Sequence, residues 1–361
     1  MKKTILLVFD GRLSYLPPFQ AIIDCLKRSN EYKLVVITTE KDNGIDELYA
    51  GDNIQFIHYY ERLANKNIFE RVYRKIKREI LIRKKLSEDI LSIPHDILWV
   101  IHEKTALKIS GVLKNLDYIL SIYELRDDDE RMRKQLRSII QHAKVPIVCE
   151  YNRGEIMRTW FHLPKSPVVL PNKPYTHPRE KDIPIEVELP KEKIILYQGV
   201  ILPSRNLDIL CEAVENIDGY RVVLMGGETE YLKQLKAKYP KVYHVGHIKS
   251  PHHLKVTSHA HIGLVTYDYY CLNTIYCAPN KIWEYSGFGI PMLANTIPGL
   301  KYTVESHNAG VCVDTNDKNQ IEKAIREIDQ SYDFYREKSL EFYESCNIEE
   351  IIESIINKYN A

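Results

Sequence analysis

The sequence predicts an α/β fold with two parallel sheets, each covered by helices. Apolar runs alternate with helical patterns, beginning with a strand over residues 4–9, a helix over 17–28 and a strand over 34–38. Unbroken apolar runs are typical of strands that are buried on both faces, as they are in parallel sheets. A proline-rich break near the middle, in a chain of 361 residues, indicates two domains.

The predicted elements continue on both sides of that break. The first half adds strands over residues 97–101, 118–122 and 146–149, and residues 164–190 then hold seven of the 17 prolines. The pattern restarts with strands over 193–197, 221–225, 262–265 and 291–294, with a helix over 206–215, and residues 321–359 are predicted to be helical throughout. We therefore expect a Rossmann-like domain over 1–170, a linker over 171–190, a second Rossmann-like domain over 191–335 and a final helical segment over 336–361.

Composition excludes several classes of protein. The chain has 50 Lys and Arg against 49 Asp and Glu, so its formal net charge of +1 argues against a nucleic-acid partner. Its seven cysteines are scattered, with no Cys-x-x-Cys pair, which favours reduced thiols in the cytoplasm. The apolar run over residues 5–9 is too short for a signal-peptide core, and no run approaches the length of a membrane span.

The most informative stretch is residues 278–294. It reads as a helix that starts near Pro279, places Lys281 and Glu284 on one face and ends at Gly287 and Gly289 before an apolar strand. The helix N-terminus and the lysine suit a phosphate, and a carboxylate one turn further can accept hydrogen bonds from a ribose diol. On spacing alone, a capped amphipathic helix with a solvated glutamate is the favoured interpretation.

The second half carries a series of motifs in a fixed order. They are Leu196-Tyr197-Gln198-Gly199, Arg205-Asn206-Leu207-Asp208, Glu212-Ala213, residues 222–226, Val245-Gly246-His247, Pro279-Asn280-Lys281, Glu284-Tyr285, Gly289-Ile290-Pro291 and Ile297-Pro298-Gly299. This set resembles the retaining glycosyltransferases of family 4 (glycosyl transferases group 1), and within them a Pro-Asn-Lys subgroup. The resemblance implies a GT-B fold, which is two Rossmann-like domains with a cleft between them, and a C-terminal helix that packs back on the N-terminal domain.

The resemblance also implies a donor site for a nucleotide sugar, UDP- or GDP-linked, without a further cofactor. Glu284 then grips the ribose, Gly199 belongs to the phosphate loop, and Arg205 stands where the family has a lysine facing the diphosphate. Lys281 joins Arg205 as the second cation, because Val200 replaces the arginine that commonly follows the glycine. The remaining donor-side positions are Asn280, Gly226, His247, which has a family role near the base, and Tyr276, which stands where the family often has a first glutamate.

In the N-terminal domain, His102 follows a predicted strand and is a candidate to hydrogen-bond the donor sugar. A histidine at a strand end with a backbone partner is the equally weighted alternative. Gly11 and Arg12 in the first loop, and Glu124 after a later strand, are candidates for the acceptor side. No metal ligand is nominated: Asp127, Asp128 and Asp129 precede a helical pattern, which favours helix capping. The six histidines at 244, 247, 252, 253, 259 and 261 match no metal-binding spacing.

Eight basic residues and one acid, Glu79, lie between Arg71 and Lys85, with Val72, Ile76 and Ile80 at helical spacing among them. This pattern is typical of a helix that lies on an anionic membrane surface, or equally of a solvated helix face.

We expect a metal-independent retaining glycosyltransferase that extends a glycan or lipid-linked acceptor in cell-surface polysaccharide synthesis. The alternatives are an inverting transferase, a 2-epimerase, or a catalytically inactive relative that serves as a complex subunit.

Overall fold

The structure is a computed structural model that describes residues 2–42, 44–60 and 68–361, with side chains from residue 78 onward in the helix that begins at Ile68. The chain divides into two compact units. The first unit comprises Met1–Pro171 together with Ile348–Ala361, and the second comprises Asn172–Asn347.

The described part of the first unit contains a parallel sheet of seven strands. The strands are β1 (Lys3–Phe9), β2 (Tyr32–Thr38), β3 (Ile54–Ile57), β4 (Ile97–Ile101), β5 (Ile119–Ile122), β6 (Val145–Val148) and β7 (Val168–Val169). The helices between them are α1 (Pro17–Arg28), α2 (Ile45–Leu48), α3 (Ile68–Ser92), α4 (Glu103–Lys108), α5 (Ser110–Leu113), α6 (Glu130–His142) and α7 (Tyr151–Phe161). The sheet order β3-β2-β1-β4-β5-β6-β7 reverses direction between β1 and β4.

The second unit contains a parallel sheet of six strands. The strands are β8 (Lys193–Gln198), β9 (Tyr220–Met225), β10 (Val242–Gly246), β11 (Ile262–Val265), β12 (Met292–Asn295) and β13 (Gly310–Val313). The helices are α8 (Leu207–Glu215), α9 (Glu230–Lys238), α10 (Leu254–Thr257), α11 (Leu272–Ile275), α12 (Asn280–Ser286), α13 (Pro298–Leu300), α14 (Lys318–Gln330) and α15 (Tyr332–Glu344). The sheet order β10-β9-β8-β11-β12-β13 reverses between β8 and β11.

The apolar runs form the cores of the two units, which confirms the predicted fold class. In β1, residues 5–8 are fully buried, and β4 is buried along its whole length. The same holds in the second unit for β11 and β12. Tyr285 packs so closely on β11 that a Cβ added at Gly263 would lie 2.3 Å from its ring.

The last part of the chain differs from the prediction of one continuous helical stretch over 321–359. It forms α14, α15 and a final helix, α16 (Ile348–Asn360), with breaks at Ser331 and at residues 345–347. At the second break, carbonyl oxygens near the end of α15 are satisfied by a side chain. The ammonium of the buried Lys173 donates to the carbonyl oxygens of Tyr343 (2.6 Å) and Cys346 (2.5 Å), so these oxygens serve as acceptors for a side chain at the end of the helix.

The unit boundaries also fall at other residues than those expected. α15 lies within the second unit, where the Ser339 hydroxyl donates to the Ile290 carbonyl (3.0 Å) and the Phe342 ring stacks on Trp283 at 4.5 Å. Only α16 belongs to the first unit, where the Tyr359 hydroxyl donates to the Asp117 carbonyl (3.1 Å). Residues 172–190, expected to be a linker, also belong to the second unit.

Within the described ranges, no helix is long and apolar enough to cross a membrane.

Candidate functional site

The candidate site lies at the carboxyl edge of the second sheet, around the point where the strand order reverses. The loops after β8, β9 and β11 leave the sheet there, because parallel strands all end at the same edge. In open α/β sheets this reversal point forms a crevice that binds ligands. The predicted donor-side residues Gly199 and Gly226 are the first residues after β8 and β9.

Two glycines let the loops after β8 and β9 approach each other. A Cβ at Gly226 would lie 2.2 Å from the carbonyl oxygen of Gly199, so no side chain fits there without moving the backbone. Gly199 has a φ of +132°, a conformation that L side chains rarely adopt. Its N–H donates to the Met225 carbonyl (2.9 Å), which ties the β8 loop to the end of β9.

Two cations lie beside this loop and share an aromatic ring. The guanidinium carbon of Arg205 lies 4.4 Å from the centroid of the Tyr267 ring, and Nζ of Lys281 lies 5.4 Å from the same centroid. Lys281 also lies 4.3 Å from the centroid of the Tyr197 ring, and its Nζ is 3.7 Å from where a Cβ of Gly199 would sit. The structure thus brings together Arg205, Lys281 and Gly199. Along the chain, Lys281 lies 76 residues after Arg205 and 82 residues after Gly199.

The charge on Lys281 is poorly compensated. Its side chain is buried, with 8% of the residue exposed, and burial together with the charge of Arg205 lowers its pKa to about 7. In the described parts of the chain, no carboxylate oxygen forms an ion pair within 4.0 Å of either Lys281 or Arg205. An anionic ligand at this position would therefore supply the missing counter-charge.

Glu284 lies one turn further along α12 and is 6% exposed. Nε2 of His253 lies 3.0 Å from its Oε1, and the Gln198 amide donates to its Oε2. Burial opposes ionisation of Glu284, yet the charge and hydrogen bond of His253, with His177 and Lys281 nearby, hold its pKa below the ordinary value. The structure thus contradicts the interpretation of Glu284 as a solvated surface glutamate.

The remaining donor-side candidates surround this centre. Asn280 is the first residue of α12, and Tyr276, half-buried, is the residue at which α11 ends. His247 is exposed and follows Gly246 at the end of β10. Val200 is 63% exposed beside Gly199.

His102, in the first unit, has an unusual backbone. It is the N-cap of α4 with a φ of +80°, a region that non-glycine residues rarely occupy. Its Nδ1 accepts a hydrogen bond from the N–H of Lys104 (3.2 Å). The backbone partner expected of a structural histidine at a strand end is therefore present. Burial is the main cause that lowers its pKa, which favours the neutral imidazole.

The acceptor-side candidates all lie at the carboxyl edge of the first sheet. A Cβ at Gly11 would lie 2.7 Å from the Phe9 ring, so the glycine permits this turn. Arg12 forms an ion pair with Glu40, and both side chains are largely buried. Glu124 follows β5 and is half-buried.

The side chains set aside as metal ligands have other partners. Asp129 caps α6 by accepting from the N–H of Met132 (2.9 Å), which confirms the capping interpretation. His244 lies 2.8 Å from the Gly226 carbonyl, and His261 stacks on Tyr332 at 4.1 Å. No group of three or more metal-ligating side chains occurs in the described ranges.

The sequence missed three residues that the structure places in the site. Tyr267 supports both cations, and Gln198 and His253 bind the carboxylate of Glu284. Gln198 stands directly before the predicted phosphate-loop glycine, Gly199, and this position was the only indication in the sequence that it belongs to the site. His253 was one of six histidines with no distinguishing spacing.

Part of the second unit matches a known protein family. Residues 192–330, which include β8 to β13 and all the residues of the candidate site described in the second unit, match the family described as glycosyl transferases group 1. This part of the second unit is therefore similar to the glycosyl transferases group 1. No curated protein matches the chain in sequence.

Solved structures resemble the chain over its whole length. Sucrose-phosphate synthase from Thermosynechococcus elongatus has a TM-score of 0.66 at 16% identity, covering 100% of this chain and 98% of its own. Anabaena HepE, in complex with UDP and glucose, has a TM-score of 0.67 at 12% identity, covering 100% of both chains. The lipopolysaccharide outer core galactosyltransferase WaaB has a TM-score of 0.63 at 12% identity, covering 99% of both. At these identities the likeness establishes the GT-B type of fold.

The lowered pKa of Lys281 predicts that an anion binds together with a proton. At pH 8 a lysine with a pKa of about 7 is mostly neutral, and a diphosphate beside its Nζ raises that pKa. We expect UDP binding at pH 8 to take up a proton, and affinity to fall as pH rises above 7. Calorimetry in Tris and in HEPES measures the uptake, which should vanish in Lys281→Met. Identical heats in the two buffers for the wild-type protein would contradict this.

The contact between Gly226 and Gly199 predicts different effects at two adjacent glycines. Gly226→Ala must displace the β8 loop, and overpacking of this kind typically costs about 1–3 kcal/mol of unfolding free energy. Gly227→Ala is the matched control, since nothing lies within 4 Å of a Cβ there. Urea denaturation and UDP titration compare them, and we expect only Gly226→Ala to lose both stability and affinity. Equal behaviour of the two variants would be evidence against the close approach.

Proposed function

We propose that this protein is a glycosyltransferase that moves a sugar from a nucleotide-diphosphate sugar to a glycan or lipid-linked oligosaccharide acceptor. The observation that carries the proposal is the pair of cations, Arg205 and Lys281, beside the tight Gly199 loop and without a carboxylate partner in the described residues. A diphosphate matches both the charge and the position. The ionised Glu284 lies on the same short helix as Lys281, where it would meet the ribose.

The donor takes its place in the second unit. Arg205 and Lys281 contact the diphosphate, and the backbone at Gly199 and Gly226 allows it to approach closely. His247, Asn280 and Tyr276 border the base and the sugar. UDP is the first candidate, because HepE, a structural neighbour, binds UDP and glucose, and GDP is the second.

The chemistry follows from the charges. Cleavage of the sugar–phosphate bond leaves negative charge on the diphosphate, and two cations aimed at it stabilise the transition state. They take the place that a metal ion has in other transferases, so the proposed reaction needs neither a metal nor a cofactor. We propose retention of the anomeric configuration, with the departing phosphate accepting the proton of the acceptor hydroxyl. We retain His102 as a candidate sugar-binding residue of the first unit, and burial favours its neutral imidazole.

The acceptor is proposed to bind at the first unit, near Gly11, Arg12 and Glu124. Arg12 would meet it together with Glu40, since the two side chains are paired. Cell-surface polysaccharide synthesis, of capsule or lipopolysaccharide, is the proposed pathway, and the likeness to WaaB supports it. Pro279-Asn280-Lys281 and the tyrosine at 276 favour the Pro-Asn-Lys subgroup.

We also propose that the protein works in the cytoplasm and binds the inner face of the membrane through α3. On this helix, Ile80 is 67% exposed and Leu81 is 45% exposed. Arg83 and Lys84 beside them are also exposed, while Ile82 points into the core. Exposed apolar side chains among basic ones suit an anionic lipid surface. Arg71, Val72, Arg74, Lys75, Ile76 and Lys77 have side chains outside the described residues.

Donor binding tests the function. Thermal unfolding with UDP, GDP, CDP or ADP, each with and without EDTA, should show stabilisation by one of them that survives EDTA. A ligand at 100 times its dissociation constant adds about 2.7 kcal/mol. Glu284→Gln should weaken binding roughly 10- to 100-fold, because a hydrogen bond to a charged group is worth about 1.5–3 kcal/mol. Arg205→Ala should lower turnover by orders of magnitude.

The other outcomes separate the alternatives. Consumption of donor sugar without an acceptor would indicate an epimerase, and binding without turnover would indicate an inactive subunit. Stabilisation that requires a metal would contradict metal independence. The anomeric configuration of the product, read by NMR, distinguishes retention from inversion.

The membrane proposal predicts charge-dependent binding to vesicles. Replacing Arg78, Arg83 and Lys84 by glutamine should weaken co-sedimentation with anionic vesicles roughly a hundredfold, at about 1 kcal/mol for each basic residue. Replacing Lys233 and Lys236, which are equally exposed on α9, is the control. Unchanged binding of the triple variant, or equal loss in the control, would rule out this surface.

A further inference from the structure

The carboxylate of Glu284 is held from two sides. Nε2 of His253 lies 3.0 Å from Oε1, and the side-chain amide of Gln198 donates to Oε2. An ionised carboxylate only accepts hydrogen bonds, so Nε2 of His253 carries a proton. Neither residue belongs to α12, so the position of the carboxylate depends on two other elements of the unit, β8 and the start of α10.

Gln198 is itself fixed. The Thr257 hydroxyl donates to its Oε1 (2.8 Å), which orients the amide so that its nitrogen faces Glu284. Thr257 is fully buried, and Gln198 is 5% exposed. His253 directly precedes α10 and Thr257 ends it, so this one short helix carries both the direct and the indirect support of Glu284.

The arrangement leaves acceptor capacity on both carboxylate oxygens. A carboxylate has about four lone-pair sites, and His253 and Gln198 occupy two of them, one on each oxygen. A vicinal diol donates two hydrogen bonds, which is what the other two sites can accept. Because the carboxylate is already oriented, the diol does not have to immobilise a free glutamate side chain when it binds.

We propose that His253 and Gln198 are positioning residues that fix Glu284 as a reader of both ribose hydroxyls. The donor is then a ribonucleoside diphosphate sugar, and deoxyribonucleotide donors are rejected. This inference rests on the proposed function of the second unit. Sites built to hydrogen-bond a hydroxyl reject the analogue that lacks it, because their own polar groups are left unpaired.

A purely structural role of the hydrogen bonds among His253, Gln198 and Glu284 predicts a different effect on nucleotide affinity. If the network only tied α10 to α12 and β8, its loss would weaken every nucleotide to the same extent. If it acts through the ribose, its loss should remove the preference for ribose over deoxyribose. The ratio of two affinities in one variant separates these roles, since general damage to the fold cancels from it.

The test measures dissociation constants for UDP and GDP, and for the 2′-deoxy and 3′-deoxy analogues of whichever binds. We expect the wild-type protein to prefer the ribonucleotide at least 10-fold over each analogue. His253→Leu should reduce that preference to about 2-fold or less, mainly by weakening the ribonucleotide. His253→Gln should restore it, because the amide nitrogen of glutamine can reach the position of Nε2.

The neighbouring His252 provides the matched control. It is exposed, and His252→Leu should keep the wild-type preference. Thr257→Val removes the hydroxyl that orients Gln198 with little change of shape, and should reduce the preference partially. It serves as the second variant if His253→Leu does not fold.

Two results would overturn the inference, and they differ in meaning. If His253→Leu and Thr257→Val weaken the ribonucleotide and its deoxy analogues equally, the network has only a structural role. A wild-type protein that binds the deoxy analogues as tightly as the ribonucleotide also refutes the inference, while the proposed function stands. If the wild-type protein binds neither UDP nor GDP, the proposed function itself fails.

Discussion

Glu284 places an ionised carboxylate in the interior of the second unit, where an isolated charge would be strongly unfavourable. The charge is tolerated because hydrogen-bond donors reach it from separate elements, His253 ahead of α10 and Gln198 at the end of β8. The ring of His177 also lies 3.0 Å from the Glu284 carbonyl oxygen, and a Cβ at Gly287 would overlap that ring. The positions of these elements are therefore linked to one another through a single residue, Glu284.

The two cations of the same site have a different kind of neighbour from Glu284. Arg205 and Lys281 have aromatic rings as neighbours, and these attract a cation but do not neutralise it. Burial of Lys281, together with the charge of Arg205, lowers its pKa to about 7, although the charge of Glu284 opposes the shift. Both carboxylate oxygens of Glu284 have direct partners, whereas in the described residues no carboxylate forms an ion pair within 4.0 Å of Arg205 or Lys281. This difference supports the proposed diphosphate ligand, and Lys281 approaches the Gly199 loop from α12.

The sequence predicted most strands of the two sheets, because their apolar runs are local signals, but it did not predict β3, β7, β10 and β13. The strand over 97–101 and the helix over 17–28 have the predicted bounds, since unbroken apolar runs and a proline start are local signals. Gly199 and Glu284 could be placed because they belong to motifs that keep their order. The contacts of the Glu284 side chain could not be predicted, since its partner Gln198 is 86 residues away in the chain. The contact at the break before α16 was hidden for the same reason: its donor, Lys173, lies 173 residues from Cys346.

The first unit shows the same limit more strongly, because its polar edge is organised in pairs. Arg12 pairs with Glu40, Lys108 with Asp10 and Arg126 with Glu103, across 28, 98 and 23 residues of sequence. Each pair joins different loops or helices around β1 and β4, and no spacing rule connects its members. A charged residue such as Arg12 looks like a ligand contact in the sequence, yet in the fold its charge is already matched. Which charged residues on such an edge can serve an acceptor site depends on these ion pairs. The ion pairs themselves can be identified only in the folded sheet.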